Sequence, residues 1–79
     1  MSLSLDKIDQ NQRVLVEEIK GGHFALKRLM HLGIRKGDEI IIKRTGTFGG
    51  PTLITVNSSN VAIGRGLAKK IYVKLLNEH

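Results

Sequence analysis

"HFALKRLMHLGIRKGDEIIIKRTG", residues 23–46, is the stretch whose reading decides the fold. Its first half spaces Leu26, Leu29, Met30 and Gly33 as a helix would, with Lys27, Arg28 and His31 on the remaining sides. That is a short amphipathic helix over residues 23–33. Gly33 is placed to take the left-handed backbone that ends a helix, and Ile34 supplies the apolar contact expected just beyond it. The second half changes period. Lys36–Gly37–Asp38 makes a turn, and a strand runs through Thr45 with Ile40 and Ile42 facing a core. Ile41 then faces outward beside Lys43.

Working outward towards the N-terminus, "RVLVEEIK", residues 13–20, is rich in β-branched residues and reads as a strand. Val14 and Val16 share one face while Ile19 falls on the other, which a bulge or a strong twist near Glu17 would reconcile. Gly21–Gly22 ends this strand, Asp9 to Gln12 is a polar stretch, and Ser4 is placed to cap a single turn over residues 5–8. Towards the C-terminus, residues 46–51 form an irregular loop with Pro51 at the edge of the next strand. "TLITVN" is a strand with Ile54 and Val56 inward, "SSN" a tight turn, and "VAI" a further strand. In "VAIGRGLAKKI", residues 61–71, Gly64 and Gly66 are expected to let the chain turn, with Leu67 and Ala68 packing a helical turn on the core. "KIYVKLL" closes the chain, Ile71, Val73 and Leu75 alternating with Tyr72 and Lys74. The expectation is mainly β: about five short strands, one short helix between the first two, and a helical turn before the last. Closure removes exposed edges, so a small SH3-like barrel spanning residues 1–79 as a single domain follows.

Composition narrows the function. The chain has 79 residues, no cysteine, 4% aromatic residues and a formal net charge of +6. The missing cysteine excludes disulfides, thiolate metal sites and cysteine nucleophiles. The longest apolar run is about three residues against roughly 20 for a bilayer span, and no signal-peptide core follows Met1, so the expected compartment is the cytoplasm. Serines at 2, 4, 58 and 59 lack a nucleophile-elbow motif, and so small a core leaves little room for a catalytic pocket. An enzyme is not expected. His23 and His31, on one helix, would stand about 12 Å apart, and His79 ends the chain. Glu17–Glu18 and Asp38–Glu39 are adjacent pairs whose side chains diverge on a strand. No metal or cofactor site is therefore expected.

The glycines of residues 61–71 resemble a phosphate loop only superficially. A nucleotide-binding loop needs a lysine after its last glycine, and the dinucleotide fingerprint needs a third glycine where Lys69 stands. Basic residues cluster in two places: Arg28, Arg35, Lys36, Lys43 and Arg44, and then Arg65, Lys69, Lys70 and Lys74. Such a balance suits nucleic acid, an anionic surface or an acidic partner. Phe24, Phe48 and Tyr72 are too scattered for a base-stacking platform.

Several strings together resemble one family. "RLMHLGIRKGDEI", residues 28–40, is similar to the R-L-x-x-L-G-[IL]-x-x-G signature of the ferrous iron transport protein A (FeoA) family. Gly50–Pro51 before a strand resembles that family's next block. "VAIGRGLAKKIYV" resembles its closing block, with Ala68 at the fixed alanine and Ile71 and Val73 in the final strand. The likeness runs from about Leu5 to Leu75. Two departures stand out: Asn11–Gln12 where many members have a glycine, and Gly64–Arg65–Gly66 where members more often carry charged residues.

The resemblance implies an SH3-like barrel and a small, non-enzymatic, cytoplasmic accessory protein of bacterial ferrous iron uptake. Its implied partner is the large membrane permease with a cytoplasmic GTP-binding domain, ferrous iron transport protein B. The same module resembles the C-terminal domain of iron-dependent repressors, where it serves protein contacts. The expected partner surface combines the outward faces of the helix and second strand with the 46–51 loop: Arg28, Arg35, Lys36, Lys43 and Arg44 for charge, Ile41 and Phe48 as apolar anchors. The rival readings are a small basic nucleic-acid-binding barrel and a weak transition-metal-binding protein. Self-association is left open.

Overall fold

The computed structural model describes residues 2–76. Along the chain come β1 (Leu3–Ser4), a 3-10 turn (Leu5–Lys7), β2 (Arg13–Ile19), α1 (Gly22–His31) and β3 (Glu39–Arg44). They are followed by β4 (Thr52–Val56), β5 (Ser59–Ile63), α2 (Arg65–Ala68) and β6 (Ile71–Leu75). The strands form one antiparallel sheet in the order β1-β6-β2-β3-β4-β5. One more strand is present than the sequence suggested, the two-residue β1 against β6. The ladder does not close. Among the described residues β1 and β5 are its two edges, and Leu5 of the 3-10 turn, Ile8 just after it and Ala68 of α2 join the core from outside the strands.

Alternation builds that core. Val14 and Val16, Ile40 and Ile42, Ile54 and Val56, Ile63, and Ile71 and Val73 point inward and are buried. Leu5, Ile8, Leu29, Ile34 and Ala68 join them from the helical segments and loops, in one cluster. Each such aliphatic side chain contributes roughly 1.5–3 kcal/mol by leaving water. The register of β2 against β6 shifts between Val16 and Glu18, so the irregularity expected near Glu17 is a bulge, which returns Ile19 to the core side. A second shift follows Ile42 in β3. β6 departs from expectation at its end: Leu75 is exposed, because the core stops at Val73.

Helix α1 ends as its sequence indicates. Gly33 lies at φ +85°, its N–H donates to the Met30 carbonyl at 3.0 Å, and the Ile34 N–H donates to the Leu29 carbonyl at 2.9 Å. This pair of bonds satisfies two end carbonyls while Ile34 and Leu29 are both fully buried. The buried stripe, however, is Ala25 and Leu29, not Leu26 and Met30, which are 42% and 57% exposed. Residues four apart line up along a helix, and the small Ala25 lets that line approach the sheet. Leu26 and Met30 are rotated about 100° from it.

Two turns also differ from expectation. The β4–β5 hairpin turns on Asn57 and Ser58, at φ +50° and +65°, one residue earlier than "SSN" suggested. Positive φ at both central residues is the turn whose twist matches the flanking strands. In the 61–71 stretch, neither Gly64 nor Gly66 adopts a positive φ, and a Cβ at either would meet nothing within 4 Å. The corner is made by helical hydrogen bonds instead, Ala68 N–H to Gly64 carbonyl at 2.9 Å and Lys69 N–H to Arg65 carbonyl at 3.1 Å. Before β2, Asn11 takes φ +69°, a left-handed conformation that glycine adopts freely and asparagine tolerates.

Candidate partner-binding surface

β3 carries Ile40 and Ile42 into the core and so turns Glu39, Ile41 and Lys43 to the outside. Ile41 is flanked by Arg13 of β2 and Thr55 of β4, which leave it half-buried and not a free-standing anchor. Lys43 shares a shallow cleft with Leu53, Val61 and Ala62. Arg44 lies across from Leu53 after the bulge. Beyond it the loop folds back on itself, Gly50 N–H donating to the Thr47 carbonyl at 2.9 Å. Gly46 packs so close to Gly50 that a Cβ there would stand 2.0 Å from the Gly50 carbonyl oxygen. That packing holds Phe48 at the tip, at φ +53° and entirely exposed.

The other expected residues gather elsewhere. Arg28 lies in the last turn of α1, and Arg35 and Lys36 in the turn that leads to β3. All three are exposed. β3 lies in the chain between this group and Arg44 and Phe48, and its six residues from Glu39 to Arg44 span about 17 Å at ~3.4 Å per step. The expected surface is thus two basic patches joined by the outer face of one strand. The Asp38 carboxylate fixes the turn by accepting the Arg35 N–H at 2.8 Å, and Asp38 N–H donates to the Arg35 carbonyl at 3.1 Å.

Sequence reasoning missed Phe24, which is 90% exposed and shares a surface depression with Lys27, Arg28 and His31 on α1. Both phenylalanines of this aromatic-poor chain are therefore outside the core. The signal was available: at about 100° per residue Phe24 lies more than about 100° around the helix from each of Leu26, Leu29 and Met30, off the apolar stripe.

Glu39 pairs with Arg13 at 2.9 Å. Ser4 does not cap the backbone; its hydroxyl donates to the Asp6 carboxylate at 2.6 Å. His23 and His31 both lie on α1, about 12 Å apart along its axis. His79 lies outside the described residues. Among the described residues, no group of three or more His, Cys, Asp or Glu side chains could hold a metal ion. No helix there is long and apolar enough to cross a membrane.

The FeoA domain family matches this chain over residues 3–75. A protein of Methanocaldococcus jannaschii named Fe(2+) transport protein A is 40% identical over 65 residues, 82% of this chain and 77% of that protein. Among solved structures, an iron uptake regulatory protein (FeoA) superposes with a TM-score of 0.85 at 32% identity, over 96% of this chain and 99% of the other. A FeoA-like protein from Clostridium acetobutylicum gives 0.87 at 26% identity, over 99% of this chain and 91% of that one. A manganese-dependent transcriptional repressor is alike in fold alone, with a TM-score of 0.87 at 20% identity over 95% of this chain and 42% of its own. The mainly β, SH3-like fold is common to these relatives. A matching signature on α1 and β3, a matching fold and a family match from residue 3 to residue 75 together mean that this chain belongs to the FeoA domain family.

Proposed function

We propose that this protein is a small cytoplasmic accessory protein of ferrous iron uptake that acts by binding, not by catalysis. Its partner in this reading is the membrane ferrous iron permease that carries a GTP-binding domain, ferrous iron transport protein B. Family membership supports the link to ferrous iron transport. The observation that carries the binding role is the exposure of Phe24 and Phe48, at 90% and 107%, each with basic residues nearby in the chain. Exposed aromatic rings cost solvation free energy in the free protein, and aromatic–arginine clusters are what protein interfaces concentrate. Lys43, Arg44 and Phe48 form one patch in this reading; Arg28, Arg35 and Lys36 form the other, with Ile41 between. A net charge of +6 steers such a module towards an acidic face of its partner.

Capture by the permease's immobilised cytoplasmic domain tests the reading. Wild-type protein is retained, and Arg35→Glu, Lys43→Glu and Phe48→Ala each weaken retention. Full retention of all three variants rejects the surface. No retention of wild type rejects the permease as partner.

A further inference from the structure

A sheet that does not close has two edges, and the two edges of this one are built differently. β1 is only two residues long, a length that offers little to a pairing strand. β5 is five residues long, Ser-Asn-Val-Ala-Ile, and pairs with β4 in unbroken register without a bulge. It carries no charge and no proline, which are the usual devices that keep an edge from pairing.

The hairpin defines which backbone groups are free. The turn residues Asn57 and Ser58 leave Val56 and Ser59 as the first hydrogen-bonded pair, so Ser59, Val61 and Ile63 bond to β4. Asn60 and Ala62 then aim their N–H and C=O groups away from the sheet. Among the described residues, no backbone bond outside the ladder involves residues 59–63. Both residues are exposed. Beside them runs the shallow, mostly apolar cleft of Leu53, Val61 and Ala62, with Lys43 on its wall.

We propose that the free edge of β5 binds an extended acidic segment of a partner protein by strand addition, as a seventh strand. Main-chain bonds to Asn60 and Ala62 supply the pairing, Leu53 and Ala62 on the outer face take an apolar side chain, and Lys43 selects acidic over basic flanks. A second copy of this chain is disfavoured as occupant, because two chains of net charge +6 repel. The site shares only Lys43 with the basic patches and holds whether or not the partner is the permease.

The test uses a capped seven-residue peptide with three central valines flanked by two glutamates at each end, at about 0.15 M salt so that surface attraction is screened. Amide hydrogen exchange by NMR is expected to slow at Asn60 and Ala62 on adding the peptide, while Ser59, Val61 and Ile63 change little. Replacing glutamate by lysine in the peptide weakens binding about tenfold or more. Ala62→Pro removes an outward N–H that the fold does not use, so the protein folds and binding falls about fivefold or more. Ala62→Glu keeps the backbone and repels the peptide, which covers the case in which the proline variant fails to fold. Unchanged exchange at Asn60 and Ala62, or equal binding by Ala62→Glu, overturns the proposal. So does protection of these two amides in the peptide-free protein together with a concentration-dependent dimer.

Discussion

Replacing Gly33 and Gly66 by alanine in turn puts the same methyl group at two glycines with opposite expected results. Gly33 sits at φ +85° and Gly66 has no positive φ; at neither would the new Cβ meet an atom within 4 Å. Steric collision is therefore absent from both, and only backbone conformation remains. At Gly33, forcing a Cβ into the left-handed region costs roughly 1–2 kcal/mol. Against that, alanine restricts the unfolded chain and returns about 0.4–1 kcal/mol. The net for Gly33→Ala is a destabilisation of about 1 kcal/mol. At Gly66, inside α2, only the favourable part applies, and the four-residue helix makes it about 0.5 kcal/mol of stabilisation. Urea unfolding followed by circular dichroism reads both. With a slope of about 1 kcal/mol per molar for so small a domain, the midpoint falls about 1 M for Gly33→Ala and rises about 0.5 M for Gly66→Ala. A midpoint for Gly33→Ala at or above wild type would refute the left-handed helix end. A loss of stability in Gly66→Ala would refute the account of the corner as a helical turn independent of glycine.

Other packing and turn assignments carry their own measurements. Ala68 is fully buried between α2 and the core, so Ala68→Leu is expected to destabilise by about 1–3 kcal/mol through overpacking; an unchanged melting temperature would mean the site has spare room. Ser58 holds φ +65° in the hairpin turn, so Ser58→Gly is expected to stabilise by about 0.5–1 kcal/mol, and calorimetry showing a lower melting temperature would contradict that turn type.

Much of the fold was legible because it depends on short-range chemistry. Apolar alternation placed Ile40, Ile42, Ile54, Val56, Ile71 and Val73 in the core. The out-of-phase Ile19 signalled a bulge or strong twist near Glu17, and the register shift between Val16 and Glu18 shows that it is a bulge. Gly33 followed by Ile34 marked the helix end for the same local reason. Leu26 and Met30 were misplaced because helical spacing identifies a stripe but not its rotation. Two adjacent stripes were apolar here, and the sheet accepted the one carrying the small Ala25. The glycines at 64 and 66 look like a turn signal, yet hydrogen bonds from residues 68 and 69 make that corner in ordinary helical conformation.

The candidate surface divides along the same line. Charge and residue type singled out Arg28, Arg35, Lys36, Ile41, Lys43, Arg44 and Phe48, of which all but Ile41 are exposed. Whether they form one patch depends on β3, which spans about 17 Å between the turn carrying Arg35 and the end at Arg44. The free edge of β5 was not legible at all. Residues 59–63 would read the same in a closed barrel, where Asn60 and Ala62 would be paired. Local sequence determines which segments are strands and which side chains turn inward, because those depend on neighbours a few residues away. Which strands remain unpaired is decided only when the whole sheet is assembled, and here β1 and β5 stay apart, with Leu5, Ile8 and Ala68 joining the core from outside the strands.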